Sequence, residues 1–204
     1  MSSRINGWLA FPVVFVGFAA SASGQENWEP YDFRHTKYME FAVSSTSAGA
    51  NQSGTTIMEF TPQGGEQVQL RFAASLGDMS SEFTITAPET DVFGQALAQI
   101  MMSPAGELLM ATLLAPTWGM YFMGQDLSVG SGWSFSELGK SQSMKVEAAC
   151  RYAGQEGVEI VWRESDAVRS RICVDKSVPL PLSMTLVTEE GQNYQLELKK
   201  YERR

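Results

Sequence analysis

Along most of this chain apolar and polar residues alternate with a period of two, and one long apolar stretch interrupts the alternation. Period-two alternation marks a strand with one buried face. The chain is therefore bound to build a sheet, and the interruption must be fitted against it. That interruption runs from Val92 to Met123 (VFGQALAQIMMSPAGELLMATLLAPTWGMYFM), and Glu107 is its only charge. Met101, Met102, Met110, Met120 and Met123 set flexible, polarisable side chains along it, a side-chain chemistry that adapts to varied surfaces.

Before the stretch, Met39, Phe41 and Val43 alternate with Glu40, Ala42 and Ser44. Met58 and Phe60 follow a Ser/Gly/Ala/Asn loop over Ser45 to Gly54, and Pro62 to Gly65 turns the chain. Val68, Leu70 and Phe72 make a third strand, and Phe83 and Ile85 a fourth. Turn residues at this spacing predict an antiparallel meander. After the stretch come Trp133 and Phe135, then Val146 to Tyr152, a turn over Gly154 to Gly157, and Val158, Ile160 and Trp162. Ile172 and Val174 share the face of the next strand, with Cys173 turned away. The last hairpin carries Leu182, Met184 and Leu186 on one arm and Tyr194, Leu196 and Leu198 on the other, around Glu190-Gly191-Gln192.

The interrupting stretch reads as two helices. Thr90 or Asp91 caps the first, which runs to about Met102 with Val92, Phe93, Ala96, Leu97, Ile100 and Met101 on one face. Ser103-Pro104 starts the second, Glu107 suits its positive end, and Pro116 stops it near Ala115. The expected fold class is thus mainly β with a helical insert (α+β). It takes the form of a curved antiparallel sheet or half-open barrel of nine or ten strands, with two central helices as lid or plug. Two prolines and a glutamate break the stretch into pieces too short to cross a bilayer.

The first 22 residues read as a secretory signal: Arg4, an apolar run from Trp8 to Ala20, then the small-x-small site Ala20-Ser21-Ala22. Residues 23–204 then form a single β-rich domain with its helical insert at about 91–115, free in the periplasm or secreted, with no stable membrane anchor. The formal charge is −8 and becomes one unit more negative when Arg4 leaves with the signal. So acidic a surface repels nucleic acid and anionic headgroups. Cys150 and Cys173 are the only cysteines; in an exported protein they are expected to pair, the alternatives being buried thiols or a redox couple. In a plain three-strand meander they would stand two strand spacings apart, about 9.6 Å, beyond the roughly 7 Å that a disulfide spans. A strongly bent sheet, a strand end or a non-sequential strand order would reconcile them.

Chemistry is sparsely encoded. No G-x-S-x-G occurs, and His35, the single histidine, sits between Arg34 and Thr36 in a polar lead-in segment. Glu156 with Glu159, and Glu164 with Asp166, are close in sequence but lie in turns and on strand faces, where solvated carboxylates are commonplace. No catalytic residue, metal ligand or cofactor site follows from these patterns. On the order of its elements, the chain resembles the periplasmic lipoprotein-carrier fold, the group of the LolA and LolB carriers and the mycobacterial LprG and LppX proteins. The resemblance implies an acyl chain held between a half-open barrel and a helical lid. The leading expectation is a carrier of a lipid or other apolar small molecule, burying hydrocarbon at about 0.8 kcal/mol per CH₂. Its expected lining is Met101, Leu109, Met110, Leu113, Trp118, Met120 and Phe122. The alternatives are a plug that merely completes the core, and an envelope protein that contacts a protein partner and holds no ligand.

Overall fold

A computed structural model of the chain describes residues 28, 30–47, 50–102, 122, 124–137, 140–188 and 190–204. Four strands, β1 (Thr36–Ser47), β2 (Ala50–Gly64), β3 (Gln67–Leu76) and β4 (Met79–Pro88), precede one helix, α1 (Val92–Met102). Six more follow: β5 (Gly132–Glu137), β6 (Lys140–Tyr152), β7 (Gln155–Glu164), β8 (Ala167–Val174), β9 (Ser183–Val187) and β10 (Asn193–Arg203). All ten belong to one antiparallel sheet in the order β4-β3-β2-β1-β10-β9-β8-β7-β6-β5. The half-open barrel with two central helices is thereby overturned. The sheet is open, its edges β4 and β5 lie at opposite ends of the order, and one short helix stands among the described residues. The second expected helix, over 103–115, lies outside those residues, as does the leader over 1–22.

The order has a simple logic. Two sequential meanders, β1 to β4 and β5 to β10, are joined where the first strand pairs with the last, from Thr36 opposite Arg203 to Thr46 opposite Asn193. One inner row crosses this seam without a break: Val43, Leu196, Met184, Ile172, Ile160 and Val146, each directly opposite the next. All six are buried. Cross-strand apolar neighbours of this kind hold a sheet together face by face. A second row, Phe83, Phe72, Met58 and Met39, runs across the first meander.

Of the segment Ser45 to Gly54, expected as a loop, the described residues are instead the paired ends of β1 and β2, with Ser44 opposite Ser53 and Thr46 opposite Asn51. Small polar side chains satisfy an exposed sheet as well as a loop, so composition alone misleads there. Gly54 in this arm is indispensable. A β-carbon on it would lie 1.8 Å from the Ser75 carbonyl oxygen.

The sheet curls. Cα atoms of β6 and β10 come within 8 Å although three strands lie between them, against about 19 Å for a flat sheet. Cys150 and Cys173 are bonded, with Cα atoms 6.2 Å apart. Strand order here is sequential, so the bond passes from β6 to β8 across β7. Gly157 makes this feasible. It stands opposite Cys150, and a β-carbon on it would meet the Val174 carbonyl oxygen at 2.3 Å. The end of β8 therefore settles onto β7 where β7 has no side chain, and Cys173 is brought within reach of Cys150. Cross-linking a loop of 23 residues is worth about 3 kcal/mol in the chain-entropy picture.

On the outer face an ion-pair network covers the buried Val161. Arg163 donates to Glu147 at 2.6 Å, and Arg171 lies 3.7 Å from Glu147 and 2.8 Å from Glu159. Glu147 occupies the β-bulge between Val146 and Ala148, which aims it between the two guanidinium groups. The Arg163 hydrogen bond, and after it the charges of Arg163 and Arg171, hold its carboxyl below the ordinary 4.5.

Two outcomes follow from this architecture. Replacing Gly157 with Ala wedges β8 off β7; an overpacking cost of about 1–3 kcal/mol is expected, read as a lower denaturant midpoint together with slower formation of the Cys150–Cys173 bond. For Glu147, a depressed native pKa means that its stabilisation is complete above 4.5 and is lost as the pH falls through the lowered value. Denaturant midpoints of Glu147→Gln should accordingly decline less steeply than those of the wild type across that acid range.

Candidate functional site

Because β4 and β5 are at opposite edges, residues 89–131 must carry the chain from one side of the sheet to the other. The crossing starts with α1. Gln95 bonds back to Asp91 through both backbone and side chain, which secures the first turn. Val92, Ala96 and Ile100 are buried against β3 and β4, while Gln95 and Gln99 face solvent. Phe122, near its far end, is 2% exposed, with Trp28 at 5.7 Å and Trp133 edge-on at 6.0 Å.

The lead-in segment supplies the rest of the filling. Trp28 donates its indole N–H to the Val178 carbonyl at 2.9 Å, and the Tyr31 backbone N–H donates to Pro179 at 2.8 Å. Phe33 stacks on Phe60 and leans on Phe93; Tyr31 stacks on Phe93. Burial pushes the Tyr31 hydroxyl up to about 12. Aromatic side chains bury large areas and gain further from tilted and edge-on contacts; Trp28, Phe33 and Phe122 are buried in the core, with Phe93 packed against it.

This placement bears on each residue singled out from the sequence. Met101 is 56% exposed at the end of α1, and Phe122 is a member of the core. Leu109, Met110, Leu113, Trp118 and Met120 lie outside the described residues. The structure brings Cys150 and Cys173 together. His35 is exposed on the lead-in segment.

Beside the disulfide the surface opens into a groove of about 640 Å³. Ala149, Cys150 and Arg151 of β6 form one wall, Val174, Asp175 and Lys176 the other, and Glu156 to Val158 of β7 with Leu127 lie between. Leu127 and Val174 are buried, and Val158 and Cys150 half-buried, so the floor is apolar. The rim is charged but largely self-compensating. Arg151 faces Glu156 at 3.8 Å, and Asp175 is turned inward to accept from the backbone and hydroxyl of Ser177. Such a rim steers no strongly charged molecule, and the floor accepts an apolar group. No periodic signal in the sequence could have found this groove, because it joins the ends of three strands to a loop residue.

Three of the four carboxylates considered for acid–base chemistry, Glu156, Glu159 and Glu164, are paired with arginine or lysine. Glu164 is held below its ordinary value first by its hydrogen bond to Lys140 and then by Arg169, and Glu159 pairs with Arg171. A depressed carboxyl is the reverse of what a general acid needs. Among the described residues no group of three or more His, Cys, Asp or Glu is arranged to hold a metal ion. No described helix is long and apolar enough to cross a membrane.

No family model and no curated protein matches the chain. Solved structures do show similarity. MucB in complex with MucA(peri) is 14% identical, covering 85% of this chain and 52% of that one at a TM-score of 0.43. The Pseudomonas aeruginosa MucA/MucB complex is 13% identical, covering 82% and 52% at 0.38. A β-barrel-like protein of the domain of unknown function DUF1849 from Brucella abortus is 8% identical, covering 83% and 99% at 0.30. The chain spans about half the length of the MucB structures it matches. None of these three is one of the lipoprotein carriers that the element order resembles, and likeness of this strength fixes neither activity nor partner.

A core residue and a cavity lining respond differently to truncation. Phe122→Ala is expected to cost about 3–5 kcal/mol, the range for an aromatic removed from a packed core, measured by urea denaturation. A loss below about 1 kcal/mol would mean that Phe122 borders empty space instead.

Proposed function

We propose that this chain is an exported, non-enzymatic interaction protein of the cell envelope. It engages a protein partner through the groove beside the Cys150–Cys173 bond, taking an apolar segment of that partner onto the floor of Leu127, Val158 and Val174. One observation carries the reading: the protein's own aromatics, Trp28, Phe33, Phe93 and Phe122, pack the inner face. The groove remains a concave apolar surface among the described residues. Burial of the partner's side chains at about 25 cal/mol per Å² supplies the affinity, and the self-paired rim keeps long-range charge out of the selection. The described residues of the lining expected for an acyl-chain carrier are Met101, which is exposed, and Phe122, which is buried beside Trp28 and Trp133.

A photo-crosslinking side chain installed at Ala149, which is exposed on the groove wall, should capture a discrete protein adduct in the native host. The same group at Thr84, exposed on the edge strand β4, should capture none. Mass spectrometry of the denatured, native-purified protein should show no stoichiometric lipid. Acyl species bound one to one, or the absence of any adduct specific to Ala149, would overturn the proposal.

A further inference from the structure

The disulfide does more than close a loop, because it ties together the two walls of the groove. One wall is Ala149-Cys150-Arg151 and the other begins at Val174, the residue after Cys173. The cysteine Cα atoms are 6.2 Å apart, whereas a flat sheet would set strands β6 and β8, on either side of β7, about 9.6 Å apart; the bond fastens the approach that Gly157 permits. The β7–β8 register ends at Val158 opposite Val174, and Gly157 beyond it has no strand partner on the β8 side. The rest of the second meander is fixed by the buried row Met184, Ile172, Ile160 and Val146, which does not depend on the bond. Cys150 is half-buried and lines the groove, while Cys173 is 1% exposed behind it.

We propose that the groove is redox-gated: reduction of Cys150–Cys173 releases the end of β8 from β7 and dismantles the binding surface while leaving the sheet folded. This rests on the groove's being the partner site. An external dithiol, such as that of a thiol–disulfide oxidoreductase, is the reductant. Its thiolate enters from the groove and attacks Cys150 Sγ, forming a mixed disulfide as the Cys150–Cys173 bond breaks. Cys173 leaves as a thiolate and takes up a proton. The second thiol of the reductant then attacks the reductant's sulfur in the mixed disulfide, forming the reductant's own disulfide and releasing Cys150 as a thiol. Two electrons pass from the dithiol to the cystine. With the bond broken, Val174 keeps its β7 partner Val158 and its place in the core, while Asp175 and Lys176 beyond it have no strand partner on β7.

The experiment treats the mature protein with dithiothreitol under native conditions and follows thiol release by maleimide labelling. Amide hydrogen exchange is measured in parallel. The proposal expects both thiols to be labelled without denaturant and exchange over 149–151 and 174–176 to rise about tenfold or more. Exchange across β1 to β3 should stay unchanged, and the Ala149 adduct should disappear and return on reoxidation. The double variant Cys150→Ser/Cys173→Ser should behave as the reduced protein and ignore dithiothreitol. Labelling only after denaturation, global unfolding on reduction, or unaltered exchange around the groove would each overturn it. If no Ala149 adduct forms even in the oxidised protein, the partner reading fails, and with it the gating role, while the exchange data still report whether the walls separate.

Discussion

Everything in this fold depends on the antiparallel pairing of β1 with β10. Each meander alone is a strip with one apolar face and two open edges, and the described helix α1 covers that face at β3 and β4. Pairing Val43 with Leu196 and Phe41 with Leu198 fuses the strips into a single surface wide enough to curl. The curl then lets the N-terminal aromatics, the buried face of α1 and Phe122 fill the interior. Trp28 reaches the carbonyl of Val178 between β8 and β9, and Phe33 reaches Phe60 on β2. These two contacts, five residues apart in the chain, touch both meanders and bind them across the seam from above. The hydrophobic term is non-directional; the backbone ladder of the seam gives it a definite geometry.

Curvature is set locally, at glycines. Gly54 and Gly157 are the two strand positions where a side chain would collide with the neighbouring backbone, at 1.8 Å and 2.3 Å. They sit in opposite meanders, in β2 and β7. At both, one strand is drawn in against the next more closely than a pleated sheet with side chains permits. The disulfide exploits the second of these bends, and the groove is what remains open beside it.

The strands were legible wherever apolar alternation was strong. Met39-Phe41-Val43, Val68-Leu70-Phe72 and Tyr194-Leu196-Leu198 declare themselves in the sequence and lie in β1, β3 and β10. The helix over Val92–Met102 was legible from its spacing and from Asp91. The paired ends of β1 and β2 were not, because Ser, Thr, Asn and Gly there carry no burial signal. Gly157 was read as part of a turn beside Gly154; its function in β7 depends on the Val174 backbone, and no local pattern encodes it. Cys150 and Cys173 were legible as a pair from their number and compartment, but how they meet required Gly157. Phe122 was singled out as a ligand lining, and the structure shows it buried beside two tryptophans. Its neighbours Trp28 and Trp133 are 94 and 11 residues away, and a single sequence does not say which distant aromatics converge. The aromatic run Trp28, Tyr31 and Phe33 was the available clue that the lead-in segment is core.

The β1–β10 seam also has a consequence in time. Its two strands stand at opposite ends of the described chain, so every pair in the seam spans nearly the whole domain, Thr36 to Arg203 at the extreme. During synthesis β1 to β4 emerge without the strand that completes them. Contacts of such long range form slowly because the intervening chain must first be ordered, and an apolar strand left waiting with an unpaired edge is a template for association. A chain built in this way cannot complete its sheet until its last strand arrives, and until then the β1 edge stays open to any other extended segment.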